Sequence, residues 1–291
     1  MSRFSIGKKL CKAIHVLEAK IANLSKYSVA ANNLDIPYLS NVERFTHDKP
    51  VLLLLHGFSG DKYVWNRLAK YFKNDYQLLI PDLMGHGDSV YSEHGNYSMP
   101  AQCTTLLSVL DNLNVDKFHV VGNSMGGMIA ATLIEQIPQR IEKCVLIDPA
   151  GAKSDFVIDL AKNKFNPFNY CTEQDFFDFY KTLMAKPPFV PKFILKSVAR
   201  DYINKNAQHA HMFSQFYNIN DFFPASHHFS FTNTMLIWGL NDKLLPIEDY
   251  QQWKTMLTGC TRIYEDLGHL PMIEDAKRVS EDILAFLQEP V

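Results

Sequence analysis

Phe118-His119-Val120-Val121-Gly122-Asn123-Ser124-Met125-Gly126-Gly127 passes from a short apolar run, through a serine bracketed by glycines, into a helical pattern at 125–137. This is Gly-x-Ser-x-Gly set between a strand and a helix. A strand that turns this sharply into a helix strains the backbone of its middle residue and leaves no room on either side, hence the glycines. The turn lifts the Ser124 hydroxyl above the sheet edge, and the helix N-terminus behind it favours developing negative charge. Ser124 is therefore the candidate nucleophile.

Outward from this turn, strand-like runs alternate with amphipathic segments. Residues 51–55, 77–80, 118–121, 144–147 and 235–238 are near-continuously apolar, as strands buried on both faces of a parallel sheet are. The helical patterns at 61–72, 100–113, 125–137, 247–257 and 275–287 lie between or after them. Two short runs at 27–31 and 36–40 flank Asn32-Asn33 and are expected to pair as an antiparallel hairpin. The fold class is α/β: a doubly wound, mainly parallel eight-stranded sheet. The alternation breaks once. Residues 152–230 carry no parallel-strand signal, yet hold 13 of the 20 Phe, which marks a helical insertion covering the sheet. Within it Thr172-Glu173-Gln174-Asp175 has the form of a capping box, followed by Phe176, Phe179, Tyr180 and Leu183 on one helical face. That stripe suits either the insertion's own core or a surface over the site. The division expected is a basic amphipathic helix at 1–26, a core of 27–151 and 231–291, and a cap at 152–230.

A serine needs a base, and the base an orienting acid. Among eleven histidines, His269 stands out in Leu267-Gly268-His269, after a last β-like run at 261–265 and before the final helix. His209, His211, His227 and His228 lack an accompanying Cys, Asp or Glu cluster at metal-ligand spacing and are expected to face solvent on the cap; His86 is accounted for by a glycine-flanked turn. Asp148 and Asp242 both follow strands. Asp242 gives the chain order serine, acid, histidine and is favoured, with Asp148 as the alternative. His56-Gly57-Phe58 ends a strand, so the backbone N–H groups of Phe58 and Met125 are the candidate oxyanion donors. No metal and no cofactor is expected.

These motifs, with Asp82-Leu83-Met84-Gly85-His86-Gly87 and Trp238-Gly239-Leu240-Asn241-Asp242, make the chain resemble an α/β-hydrolase over about residues 34–287. Within the insertion, Glu173-Gln174-Asp175-Phe176-Phe177 and Lys186-Pro187-Pro188-Phe189-Val190-Pro191 are similar to the caps of bacterial family V lipases and of membrane-associated monoacylglycerol lipases. The resemblance implies hydrolysis of acylglycerol-like esters, with Ser124, Asp242 and His269 as triad and a small lipid-like ester as substrate. A carbon–carbon hydrolase of the meta-cleavage type is the rival. Its substrates carry carboxylates that want a cationic clamp, and the insertion holds only Arg200. A catalytically inactive ligand receptor is the other rival, disfavoured because all three triad positions are filled.

Composition narrows the partners. A net charge of −2, from 29 basic and 31 acidic residues, argues against a nucleic-acid binder. Five scattered cysteines without a CxxC pair suit a reducing compartment. The apolar stretch at 13–17 is too short for a secretion signal. Residues 1–26 carry Arg3, Lys8, Lys9, Lys12, Lys20 and Lys26 against Glu18 alone, a local +5. Ile6, Leu10, Ile14, Leu17, Ile21 and Leu24 fall on one helical face. Two homes are open to that face: the body of the protein, or the headgroup region of an anionic membrane. The expectation is a cytoplasmic protein, peripheral at the membrane surface.

Overall fold

The computed structural model describes residues 3–163 and 165–290. Met1, Ser2, Lys164 and Val291, and the side chains of Arg3, Phe4 and Ser5, belong to segments delimited above but lie outside what is described. Eight strands form one sheet: β1 (Ser25–Ala31), β2 (Leu34–Ser40), β3 (Val51–Leu55), β4 (Gln77–Pro81), β5 (Phe118–Asn123), β6 (Ile141–Ile147), β7 (Thr234–Gly239) and β8 (Cys260–Tyr264). Their spatial order is β1-β2-β4-β3-β5-β6-β7-β8, and only β2 runs against the rest. The β1–β2 hairpin turns at Asn32 and Asn33, both with positive φ, 49° and 62°, as a two-residue hairpin turn requires.

The helices are α1 (Arg3–Ile21), α2 (Asn66–Ala69), α3 (Met99–Asn112), α4 (Met125–Gln136), α5 (Asp155–Lys162), α6 (Glu173–Leu183), α7 (Lys192–Asn204), α8 (Asn206–Phe216), α9 (Ile247–Met256), α10 (Pro271–Glu274) and α11 (Ala276–Gln288). The central strands are apolar throughout because both sheet faces are covered. Leu53, Leu55, Val120 and Leu146 join the side packed by α3, α4 and α9. Leu52, Leu54, Val121 and Val145 join the side packed by α2 and α11. One expectation fails in detail. Residues 61–72 make a 3₁₀ turn, Lys62–Trp65, and the short α2 rather than one helix. Lys62 is buried; its backbone N–H bonds Asp82 and its ammonium pairs with Asp82 and Asp88, so tertiary bonds take over the first turn.

Between β6 and β7 the chain makes α5 to α8. The capping box is formed: Thr172 Oγ1 accepts from Asp175 N–H, and Asp175 accepts from Thr172 N–H. The stripe on α6 is the cap's own core, with Phe176 5.0 Å from Tyr202 and Phe179 5.0 Å from Tyr170.

The helix α1 packs with its small-residue face, not its apolar one. Gly7 and Ala19, with Ala22 just past the helix end, are buried, and a methyl group at Gly7 would collide with Ser197 of α7. Ile6, Leu17 and Ile21 are 47%, 60% and 52% exposed, and Leu10 and Ile14 are exposed too; of the stripe only Leu24, beyond the helix end, is buried. Among the described residues, no helix is long and apolar enough to cross a membrane.

Candidate active site

Strand β5 delivers Ser124 into a turn that ordinary side chains avoid, φ 54° and ψ −118°. Three backbone bonds hold it there. Ser124 N–H donates to Ile147 O at 3.0 Å, and Ser124 O accepts from Ala150 N at 3.1 Å and Met128 N at 3.0 Å. The flanking glycines are required by contact: a Cβ at Gly122 would overlap the Gly126 carbonyl, and one at Gly126 the Leu55 carbonyl. Ser124 itself is only 7% exposed.

His269 follows β8 on the loop before α10, and Asp242 follows β7. His269 Nδ1 lies 2.6 Å from Asp242 Oδ2, and both side chains are buried. Asp242 Oδ1 accepts from Leu244 N at 2.7 Å and Leu245 N at 3.0 Å, which leaves Oδ2 facing the ring. Nδ1 therefore carries the ring proton, and Nε2 is left as the basic nitrogen. The loop is clamped from two sides. Asn123 Nδ2 donates to His269 O at 3.1 Å and to Ile147 O at 3.1 Å, while His269 N–H donates to Leu183 O of α6 at 2.9 Å. Asp148 sits nearby, but its Oδ1 accepts from Gly239 N–H at 2.9 Å and His269 bonds Asp242. Asp148, Asp242 and His269 each place a donor atom within 4.8 Å of the others, close enough to share a metal ion. An ion there would have to displace the Asp242–His269 bond.

The loop after β3 brings Phe58 beneath the cap. Leu83 N–H donates to His56 Nε2 at 3.0 Å, so His56 Nδ1 carries the proton and donates to Gly57 O at 2.8 Å. Gly60 N–H donates to the same carbonyl at 3.1 Å. Gly57 O and Phe58 N–H share one peptide plane and point opposite ways, so holding the carbonyl aims the N–H. Residue 125 opens α4, where the first N–H groups lack helical acceptors. The cap supplies what the sequence did not disclose. Phe168, Phe213 and Phe216 pack on the Phe58 ring at 4.7, 5.5 and 6.1 Å, and Tyr202 donates to Ser59 O at 2.9 Å. His209 corrects an expectation: it is buried, 6.2 Å from Phe58, because α8 turns that face inward. His86 is buried against the Phe58 edge at 5.2 Å. Burial pushes His56 down to about 4, and His86 and His209 to about 3, so all three are neutral near pH 7. Two open clefts are present, one of 530 Å³ between residues 96–98 and the end of α8 and one of 710 Å³ along α5, and neither is lined by Ser124 or His269.

A strained serine between a parallel strand and a helix, with a carboxylate-bonded histidine at the same sheet edge, defines a hydrolase of doubly wound architecture. The chain belongs to the alpha/beta hydrolase fold family, whose model matches residues 50–276. It is 31% identical to Lipase 3 of Moraxella sp. (strain TA144) over 242 residues, 81% of this chain and 76% of the relative. It is 26% identical to monoacylglycerol lipase abhd6-B of Xenopus laevis, over 82% of this chain and 76% of that one. Among solved structures, a bacterial membrane phospholipase A superposes with a TM-score of 0.87 at 27% identity, covering 97% of this chain and 91% of that one.

Proposed function

We propose that Ser124, His269 and Asp242 are the nucleophile, base and orienting acid with which this carboxylic ester hydrolase cleaves lipid-like acyl esters. The observation that carries the reading is the buried 2.6 Å His269–Asp242 bond at the edge that also presents Ser124. Ser124 attacks the ester carbonyl while His269 Nε2 takes its proton, and Asp242 stabilises the imidazolium. The oxyanion of the tetrahedral intermediate is received by the N–H groups of Phe58 and Met125. His269 then protonates the leaving alcohol, and the acyl group stays on Ser124 as an ester. In the second half His269 takes a proton from the water that attacks the acyl carbon, then gives it to Ser124 Oγ as the acyl–oxygen bond breaks, so that the fatty acid leaves with Ser124 and His269 restored. The carbon–carbon alternative is disfavoured: the insertion's one arginine, Arg200, is exposed and bonds Glu173 Oε1 through Nε at 2.9 Å. A fluorophosphonate probe tests the assignment. It is expected to label wild-type protein at Ser124 and to leave Ser124→Ala unlabelled; labelling elsewhere, with activity intact in Ser124→Ala, rejects it.

The helix α1 serves as a peripheral attachment to an anionic lipid surface. Its apolar stripe is exposed and Lys12 and Lys20 are exposed beside it, while Phe193 and the 92% exposed Phe189 present further apolar surface on the cap. Both terms of interfacial binding, apolar burial and attraction to anionic lipid, are thus present on one element. Leu10→Asp with Leu17→Asp leaves the packed face of α1 untouched. Wild type is expected to co-sediment with anionic vesicles at low salt, less so at high salt, and the double variant to stay in the supernatant. Equal failure of both forms to sediment removes the attachment.

A further inference from the structure

The acid end of the site holds one carboxyl more than the chemistry above uses. Asp148 closes β6 in the left-handed region, φ 41°, and is fully buried. Its N–H donates to Ile237 O at 2.9 Å, and its Oδ1 accepts from Gly239 N–H at 2.9 Å, which ties the side chain to the end of β7 just before Asp242. Its Oδ2 is buried without a protein partner, and a carboxylate oxygen of Asp148 lies within 4.8 Å of donor atoms of Asp242 and His269. The same segment brackets the nucleophile, since Ser124 bonds Ile147 O and Ala150 N on either side of it. The ionisable groups around Asp148 are Asp242, His269 and Glu274 of α10, with Asp249 of α9 beyond Asp242. A second carboxylate there would be a buried charge next to like charge. Asp242, for its part, still has an acceptor direction open after Leu244, Leu245 and His269 are served.

We propose that Asp148 keeps a proton on Oδ2 and donates it to Asp242, acting as a neutral positioning residue that steadies the acid which in turn steadies His269. The proposal rests on the Ser124–His269–Asp242 reading. Burial first, and the Asp242 charge second, hold the Asp148 carboxyl well above the usual carboxylate range. No bond is made or broken; one residue spans from the turn that carries the nucleophile to the loop that carries the acid.

The test is kcat/KM against pH on a p-nitrophenyl ester for wild type, Asp148→Asn, Asp148→Ala and Asp242→Asn, with thermal melts alongside. An asparagine amide donates where the protonated acid donates and accepts where Oδ1 accepts. Asp148→Asn is therefore expected to keep the rate within about threefold and leave the acid limb in place, as a charge-neutral exchange should. Asp148→Ala is expected to lose about 10- to 100-fold, mainly in kcat, as an unsteadied base does. If Asp148→Ala does not fold, the asparagine profile decides alone. An acid limb moved down by about a pH unit or more in Asp148→Asn, the mark of a removed negative charge, overturns the proposal. So does an Asp148→Ala enzyme as fast as wild type. Should Asp148→Asn cripple the enzyme while Asp242→Asn is mild, the triad assignment itself falls.

Discussion

Around Ser124 the geometry is held by backbone atoms, whereas the cap facing it is held by side chains. Ser124 bonds Ile147, Ala150 and Met128 through its own peptide groups, and the glycines beside it touch carbonyls of neighbouring strands and turns. In the cap, Tyr170, Phe176, Phe179 and Tyr202 meet ring against ring. Backbone contacts admit no extra atom. Ring contacts accept exchange among apolar groups of similar volume at less than about 1.5 kcal/mol. One region therefore fixes positions to a fraction of an ångström, and the other can change shape between relatives without losing its core.

The widest gap between the two regions is expected in rate. Ser124→Ala and His269→Ala should each lose up to about 10⁶-fold in kcat, and Asp242→Asn somewhat less, about 10⁴-fold, with melting temperatures close to wild type. A cap substitution such as Phe213→Ala that cost as much on every substrate would erase the distinction. In stability the contrast should be sharpest between two single substitutions measured by urea unfolding. Gly126→Ala must push the turn off Leu55 and is expected to cost several kcal/mol (roughly 4 or more), while Phe176→Leu should stay near about 1.5 kcal/mol.

The seam between the regions is the place where acid should act. His56 and His86 on the core and His209 on the cap gather around Phe58 as neutral rings. Burial holds their native pKa values below the ordinary imidazole value of 6.5, at about 4, 3 and 3, so the unfolded chain binds protons that the native state refuses. Stability is then intact above pH 6.5 and falls as pH drops from there toward 3–4, by an amount on the order of a few kcal/mol for each ring. Calorimetric melts from pH 7 to 4 should show this, with a shallower slope in His209→Asn. A flat profile would mean that the cap does not shield these rings. The smallest effect is graded. If the rings around Phe58 receive the acyl chain, each CH₂ moved out of water gains about 0.8 kcal/mol, roughly fourfold, so kcat/KM should climb with chain length on p-nitrophenyl esters until that apolar surface is covered. Best activity on acetate, declining with each carbon, would deny the cap any role in holding the acyl chain.

What could be read from the chain follows the same divide. Continuous apolar strands, the glycine-bracketed serine and the Asn-Asn turn announce themselves because each is a local backbone requirement. The choice between Asp148 and Asp242 did not, since both end strands; only their position across the sheet separates a residue bonded to Gly239 from one bonded to His269. The burial of His209 and the closing of Phe168, Phe213 and Phe216 over Phe58 depend on how α8 docks, which no short spacing encodes. At 61–72 an ordinary helical pattern yields to Asp82, a partner twenty residues away from Lys62. The stripe on α1 was legible as a face but silent about its surroundings. Small residues on the opposite side turned out to make the better contact.

That contact makes α1 a strut. Toward its start, Gly7 is wedged against α7 of the cap and Lys8 pairs with Asp201 at 3.1 Å. Toward its end, His15 O accepts from Asn66, Glu18 pairs with Arg67 at 2.9 Å, and Ile21 O accepts from Lys73, all on the core. Nineteen residues make a rod about 28 Å long, pinned at one end to the part that can vary and at the other to the part that cannot. A rod so pinned cannot follow both bodies if they separate, so any tilt of the cap must unpin one end. Linkage of this kind runs in both directions. If a lipid surface holds the outer side of the rod, as proposed above, it would change the work of tilting the cap, and an acyl chain whose binding needed that tilt would change, by the same free energy, how firmly the rod is held.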